Sequence, residues 1–192
     1  MIRRTLLLTL AAALLTGCAS VPLGTMWKMR NFSPRDFVGL DPAGLRAAVS
    51  VPDEWRLQPA GHVLDLDMKI EGGTGMQARV PLEAELTLRD SQDFEAIDGA
   101  HWHLLKVAPE GIDEMRRFQA FVAGIPEGSH GSFALSVTPQ LDPTPEATAK
   151  LRAGGKIGKI SIALRLGPGQ EWVLLIDGYP LKAEPPAAKA TP

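Results

Sequence analysis

Apolar and polar side chains alternate along most of the chain from residue 45 onward, the pattern of strands with one buried face. The turn at 72–75 is rich in glycine and predicts a hairpin, and the turn at 167–170 predicts a second one. In the second turn, proline presets φ and the following glycine supplies a positive φ. The final strand is apolar on both faces, so we expect it to be central in its sheet. The predicted strands are 45–51, 64–70, 80–88, 102–107, 132–138, 160–166 and 172–176.

One long segment has helical periodicity instead. Within 109–124, apolar side chains recur every three or four residues, and two acidic residues lie in the first turn. A shorter helix is predicted after Thr144, with Pro145 at its first position and Gly154 at its end. These elements predict a mainly β fold, either a β-sandwich or a curled antiparallel sheet of about seven strands, with one amphipathic helix packed on it.

The N-terminus has a different composition. Arg3 and Arg4 precede an uncharged run of Leu, Ala and Thr at 5–15, the layout of a secretory signal peptide. This run is shorter than the roughly 20 apolar residues that a membrane helix needs. It leads into Leu15-Thr16-Gly17-Cys18, and small residues before a cysteine resemble the lipobox of bacterial lipoproteins.

The lipoprotein resemblance implies that residues 1–17 are a signal peptide and that Cys18 becomes a lipidated N-terminus. Several acyl chains would make the anchor effectively permanent. The alternative is an ordinary signal peptide cut around 11–13, which would leave a free thiol near the N-terminus. No aspartate near Cys18 resembles an inner-membrane retention signal, so we expect the periplasmic face of the outer membrane rather than the inner membrane.

The remaining chain divides by composition. Residues 18–25 form a short tether, 26–182 a single β-rich domain, and 183–192 a Pro/Ala-rich tail with nothing to bury. Large apolar side chains alternate with cations at 26–32. This segment is either a strand or loop packed on the domain, or a second contact with a bilayer surface or a partner, with Arg35 as a further cation.

Composition narrows the classes of function. Cys18 is the only cysteine, so no intramolecular disulfide stabilises the domain. The formal net charge is −2 and the chain has no basic run, which argues against nucleic acid as a partner. We expect no cofactor beyond the covalent lipid.

Two sets of side chains have spacings that could support chemistry. His101 and His103 share one face of a strand, with Asp98 nearby, a set usable by zinc or copper. Two imidazoles alone do not complete a site, so the competing interpretation is a pair of surface or edge-strand histidines. Asp65 and Asp67 also share a face, as an acid–base pair or as part of a solvated strand face.

Other catalytic motifs are incomplete. Ser129 has Glu127 where a nucleophile elbow needs glycine. The glycine-rich segments 72–75 and 154–156 lack the remaining residues of a phosphate-binding loop. We therefore expect a protein that is not an enzyme.

Three hypotheses follow for the function. The first is a structural or interaction lipoprotein that presents an edge strand or loop to an envelope protein. The second is a carrier of an apolar, lipid-like ligand, held between the strand faces 64–70 and 80–88 with the helix as a lid. The third is a metal-dependent activity at His101 and His103.

A shorter resemblance falls between the predicted strands. Leu88, Asp90 and Phe94 fit the L-x-D-x-x-x-F-x-x-A stretch of the outer-membrane lipoprotein of type VI secretion systems, and Ile97 stands where that family has alanine. The resemblance implies a small sandwich with added helices that docks a partner. The C-terminal hairpin of this chain departs from that family.

Overall fold

The computed structural model describes residues 34–88, 93–153, 155 and 157–181. Every predicted strand and both predicted helices are present there, which confirms a mainly β fold. Cys18, the tether, segment 26–32 and the tail lie outside the described residues. The strands are β1 (Arg46–Pro52), β2 (Trp55–Leu57), β3 (His62–Ile70), β4 (Met76–Leu88), β5 (Ala100–Val107), β6 (Gly131–Thr138), β7 (Leu141–Pro143), β8 (Lys159–Arg165) and β9 (Val173–Pro180). The helices are α1 (Pro34–Val38), α2 (Pro109–Ala123) and α3 (Pro145–Arg152), with a 3₁₀ turn at Pro42–Gly44.

Seven strands form one antiparallel sheet in the order β6-β3-β4-β5-β1-β8-β9. This sheet curls until it is nearly closed, so the curled-sheet form of the prediction describes the fold. β2 and β7 pair separately as a small two-stranded sheet. Within the described residues, β6 and β9 are therefore the two edges of the large sheet.

The two predicted hairpin turns have the expected backbone. Gly72 has φ +70° between β3 and β4, and Gly169 has φ +73° between β8 and β9. In the second turn, the Gln170 N–H donates to the Gly167 carbonyl at 3.2 Å. Proline and glycine thus occupy the second and third positions of a hydrogen-bonded turn, as their backbone preferences predict.

The expectation that the last strand is central in its sheet is wrong, because β9 is an edge strand. Its apolar character on both faces has another cause. Leu175 and Ile176 pack against the main core, whereas Trp172 and Leu174 pack on a second apolar cluster. Both faces are covered although one long edge has no strand partner among the described residues.

The main core joins the inner side of the curled sheet to the helices. Phe118 on α2 packs edge-on against Phe37 of α1, with ring centroids 5.9 Å apart, and Phe133 on β6 completes the aromatic group. The buried amide of Gln119 donates to two backbone carbonyls, Phe37 at 2.9 Å and Leu40 at 2.8 Å. α1 is thereby attached to α2 by both apolar and polar contacts.

The first turn of α2 approaches the sheet closely. The Ala108 N–H donates to the Pro81 carbonyl at 3.0 Å, and a Cβ added to Gly111 would lie 2.6 Å from that same oxygen. Glycine is the residue that permits this approach. Among the described residues, none of the helices is both long and apolar enough to cross a membrane.

Candidate functional site

The two histidines that the sequence proposed as metal ligands lie on β5. His101 is exposed and its Nε2 lies 3.3 Å from Asp53 Oδ1, while His103 is partly buried. Burial lowers the pKa of His103, and electrostatic repulsion between its protonated ring and the neighbouring His101 and His62 lowers it further. Asp98 lies in the turn before β5. Within the ranges described, no three His, Cys, Asp or Glu side chains are grouped to hold a metal ion.

The third histidine of this region, His62 on β3, was not singled out from the sequence. Its side chain is fully buried, and its Nδ1 accepts from the Gln140 N–H at 2.9 Å. Nε2 therefore carries the proton and donates to the Gln58 carbonyl at 2.7 Å. Burial lowers the pKa of His62, although the bond to Gln58 opposes this effect. Both ring nitrogens are engaged in structural hydrogen bonds.

Asp65 and Asp67 lie on the partly exposed side of β3. Asp65 Oδ1 is 3.2 Å from Arg79 Nε, and Asp67 Oδ2 is 3.6 Å from Lys69 Nζ. Each carboxylate thus has its own basic neighbour on the strand face.

The strand faces that would enclose an apolar ligand contribute to the main core instead. Leu64 and Leu66 from β3, with Val80 and Leu82 from β4, are almost completely buried in one cluster with α2. The apolar side chains of β3 and β4 therefore pack against α2 as part of the hydrophobic core, where the carrier hypothesis places a ligand.

The opposite face of the sheet carries a groove that the sequence interpretation missed. Across four strands, large side chains on β5 and β9 flank small ones on β1 and β8. Ala48 on β1 pairs with Ala163 on β8, and Ala163 pairs with Leu174 on β9. Trp102 on β5 stands on the other side of this row, opposite Ser50 of β1. The small residues form the bottom of a depression between bulky walls.

Aromatic rings build the wall of this depression. Phe94, in the connection before β5, stacks on Trp102 with centroids 4.2 Å apart and planes 18° from parallel. The same ring lies 5.0 Å from the ring of Trp172, tilted by 53°. Phe94 therefore contacts both Trp102, on β5, and Trp172, the residue just before β9. We call this depression the outer groove, with a volume of about 370 Å³. Its lining comprises Asp93, Phe94, Glu95, Ile97, Trp102, Ser161, Ala163, Trp172, Leu174 and Asp177.

Polar groups surround the aromatic wall. The Trp172 indole N–H donates to Asp93 Oδ2 at 3.2 Å, and the Trp102 indole N–H donates to the Glu95 carbonyl at 3.4 Å. Ser161 Oγ donates to Asp177 Oδ1 at 3.4 Å. Among the described residues that line the outer groove, the charged side chains are all carboxylates. The groove therefore combines an aromatic surface with negative charge.

A signal for this groove was present in the alternation pattern. In a strand with only one buried face, polar residues occupy the exposed positions. In β5, Trp102 and Leu104 occupy those positions. Trp172 and Leu174 do the same at the last strand. Large apolar residues on both faces of two strands indicate a second apolar cluster, but the sequence does not show that these two strands lie on the same side of the sheet.

The two edges of the sheet differ. β6 is eight residues of sequence GSFALSVT, with neither charge nor proline, and it pairs with β3 without a register shift. β9 has two register shifts against β8, a positive φ at Gly178 and Pro180 at its end. Bulges, charges and proline are the devices that keep an edge from pairing. β9 carries them and β6 does not.

Comparisons with known proteins give no match, so a functional assignment has to rest on the geometry described above. No model of a known protein family matches the chain, and no curated protein or solved structure is significantly similar to it. In the stretch that resembles the type VI secretion lipoprotein, Asp90 lies outside the described ranges and Phe94 lines the outer groove. Ile97, which stands where that family has alanine, lines the groove as well.

Proposed function

We propose that this chain is a lipid-anchored interaction module of the bacterial cell envelope and does not act as an enzyme. In this proposal, Cys18 carries the lipid and holds the domain on the periplasmic face of the outer membrane. The domain then binds a partner protein by accepting one of its strands at the edge of β6. The uncharged strand β6, which pairs regularly with β3 and has no strand on its outer side among the described residues, is the observation that supports the partner-binding part of the proposal.

The backbone of β6 supports strand addition. An edge strand presents a row of N–H and C=O groups that an extended segment can pair with. The regular register between β6 and β3 keeps that row evenly spaced over eight residues. Because the described residues place no strand on the other side of β6, its outward-facing backbone groups are the natural template.

The side chains of β6 define the chemistry of the partner. One face carries Phe133, Leu135 and Val137, which pack toward the main core. The other face carries Ser132, Ala134 and Ser136, which are exposed. A segment added to β6 would continue this arrangement, with apolar side chains on the core side and small or polar ones on the exposed side. The proposed occupant is an uncharged, extended segment of a partner protein with that alternation.

A photo-crosslinking amino acid at Ala134, in cells, tests the docking edge. We expect an adduct whose crosslinked peptide is an extended segment with alternating apolar and polar residues. The adduct should disappear when Ser132→Lys and Ser136→Lys place charges on exposed positions of the same strand. The same crosslinker at Glu110, an exposed residue of α2, is the control and should not give that adduct. An adduct with a second copy of this chain, or one unaffected by the lysines, would contradict the proposal.

The anchor is tested separately. The natural chain should incorporate labelled palmitate and co-sediment with outer membranes. The Cys18→Ala variant should appear as a folded protein in the soluble periplasmic fraction, because its acyl chains are its membrane attachment. Retention of Cys18→Ala on membranes would implicate segment 26–32 as a second anchor, and a natural chain without label would refute lipidation.

A further inference from the structure

We propose that the chain's own segment 26–32 docks in a groove between α1 and the C-terminal end of α2, with the Phe32 side chain as its main contact. We call this the N-terminal groove, and its volume is about 340 Å³. The docking is an internal contact, so it goes beyond the proposed binding of a partner at β6. It also does not depend on lipidation of Cys18.

Apolar side chains make up most of the lining of the N-terminal groove. Val122 of α2 and Met68 of β3 are buried, with 2% and 6% of their surface exposed. Pro34 of α1, and Ile125 and Pro126 in the turn after α2, complete the apolar lining. Sites for small molecules begin at roughly 300 Å³, so the groove has room for an aromatic side chain. Covering such a lining with apolar groups rather than water is favourable.

An ion pair lies at the groove. Arg35 Nη1 is 2.7 Å from Glu127 Oε1. A second lobe of about 440 Å³ shares both of these residues and Ile125, and adds Val38 and Ala123. The groove therefore continues past the ion pair. Arg35 is engaged within the domain, although a bilayer contact of the N-terminal region would use it as a cation.

The position of Pro34 fixes where the preceding chain meets the groove. Phe37 and Gln119 hold α1 on α2, and Pro34 is the first residue of α1. Two residues of chain span at most about 7 Å, so the Phe32 Cα lies within that distance of the Pro34 Cα. Seven residues span at most about 25 Å, which gives Trp27 the reach to follow the second lobe. The covalent chain thus keeps Phe32 beside the groove.

The composition of segment 26–32 matches an apolar groove at the surface. Trp27, Met29 and Phe32 are large and apolar, and Lys28 and Arg30 alternate with them. Docking removes the apolar side chains from water. The long side chains of lysine and arginine can keep their charges at the surface meanwhile. The segment can therefore cover the groove without burying a charge.

Docking would also set which end of the domain faces the membrane. Gly128 and Ser129 line the same groove and lead into β6, which begins at Gly131. Residues 18–25 would then connect the lipid to the end of the domain at which β6 begins. This orientation rests on the proposed lipid on Cys18, whereas the docking itself does not.

A photo-crosslinking analogue, p-benzoylphenylalanine, in place of Phe32 tests the docking in the full chain. We expect an adduct that runs as a monomer on a denaturing gel and joins residue 32 to a peptide containing Met68 or Ile125. The same adduct is expected from the Cys18→Ala chain, so a failure of lipidation would not affect the result. The control places the analogue at Tyr179, which is 47% exposed and does not line the groove, and should not label these peptides. Labelling only of lipid or of another chain, or no labelling of a groove peptide, would overturn the proposal.

A truncated side chain gives a second measurement. Phe32→Ala should lower the Tm of the domain by several degrees, while the matched control Leu23→Ala, in the tether, should leave it unchanged. Trypsin should cut after Lys28 and Arg30 about tenfold faster in Phe32→Ala than in the natural chain, because an undocked segment is open to the protease. Far-UV circular dichroism checks that each variant is folded. A folded Phe32→Ala with the Tm and the cleavage rate of the natural chain would refute the docking.

Discussion

Replacing Gly111 with alanine tests whether the close approach of α2 to the sheet is a packing requirement. The added Cβ would lie 2.6 Å from the Pro81 carbonyl oxygen, and 3.1 Å from methyl carbons of Val80 and Val107. The oxygen contact is 0.4 Å shorter than the 3.0 Å that real Cβ atoms respect. Pro81 O cannot retreat freely because it accepts the Ala108 N–H at 3.0 Å. The helix or the strand must therefore move.

Two opposing effects decide the stability of this variant. Alanine in place of glycine favours a helix interior by up to about 1 kcal/mol. Forcing an additional carbon into a well-packed contact costs about 1–3 kcal/mol, and here the obstructing atom is backbone. We expect Gly111→Ala to be destabilised by about 1–2 kcal/mol in net terms. For a domain of this size that corresponds to a decrease of about 2–8 °C in Tm.

Gly124 at the end of the same helix provides the control. It has φ −79°, and its added Cβ would come no closer than 3.4 Å to any atom, an ordinary contact. Gly124→Ala should therefore leave Tm unchanged or raise it by about 1–4 °C, since alanine restricts the unfolded chain. Thermal melts by circular dichroism compare the two variants with the natural chain. If Gly111→Ala melts at or above the natural Tm, the steric argument is wrong.

Three further substitutions test the core and its polar contacts, each by urea unfolding. Phe118→Ala should lose about 3–5 kcal/mol, because a fully buried ring leaves a cavity. Gln119→Leu should lose about 1–3 kcal/mol and make α1 more susceptible to proteolysis, because two backbone carbonyls lose their donor. Since burial lowers the pKa of His62 below 6.5, the unfolded chain gains its proton first as pH falls, and stability should decrease from pH 7.5 to pH 5.5. His62→Gln should reduce that decrease.

Secondary structure was predictable from the sequence wherever apolar residues recurred with a single period. α2 was predicted at 109–124 and observed at Pro109–Ala123, because its apolar residues face one core and Pro109 and Gly124 mark its ends. α3 begins after Thr144, whose hydroxyl accepts the Ala147 N–H at 3.3 Å. In both cases the signal is contained in neighbouring residues.

Strand order and the outer groove depend on contacts between distant residues. A strand that is apolar on both faces is usually central in its sheet. β9 is apolar on both faces although it is an edge strand, because Trp172 and Leu174 pack on the second apolar cluster. The stacking of Phe94 on Trp102 likewise depends on where the connection before β5 folds back. Alternation reports which faces are buried and does not report what covers them.

The asymmetry of the two edges gives a physical reason why the curled sheet stays open. Closing it would require β6 and β9 to pair along their length, and closure is the only arrangement that removes both edges. β9 opposes such pairing, because its two register shifts bend it and Pro180 has no N–H to donate. β6 has none of these features, so the obstacle to closure lies on one side only. Among the described residues no strand covers the outer side of β6, and no charge on it would repel one, which is the physical basis of the proposed binding of an extended segment of a partner protein.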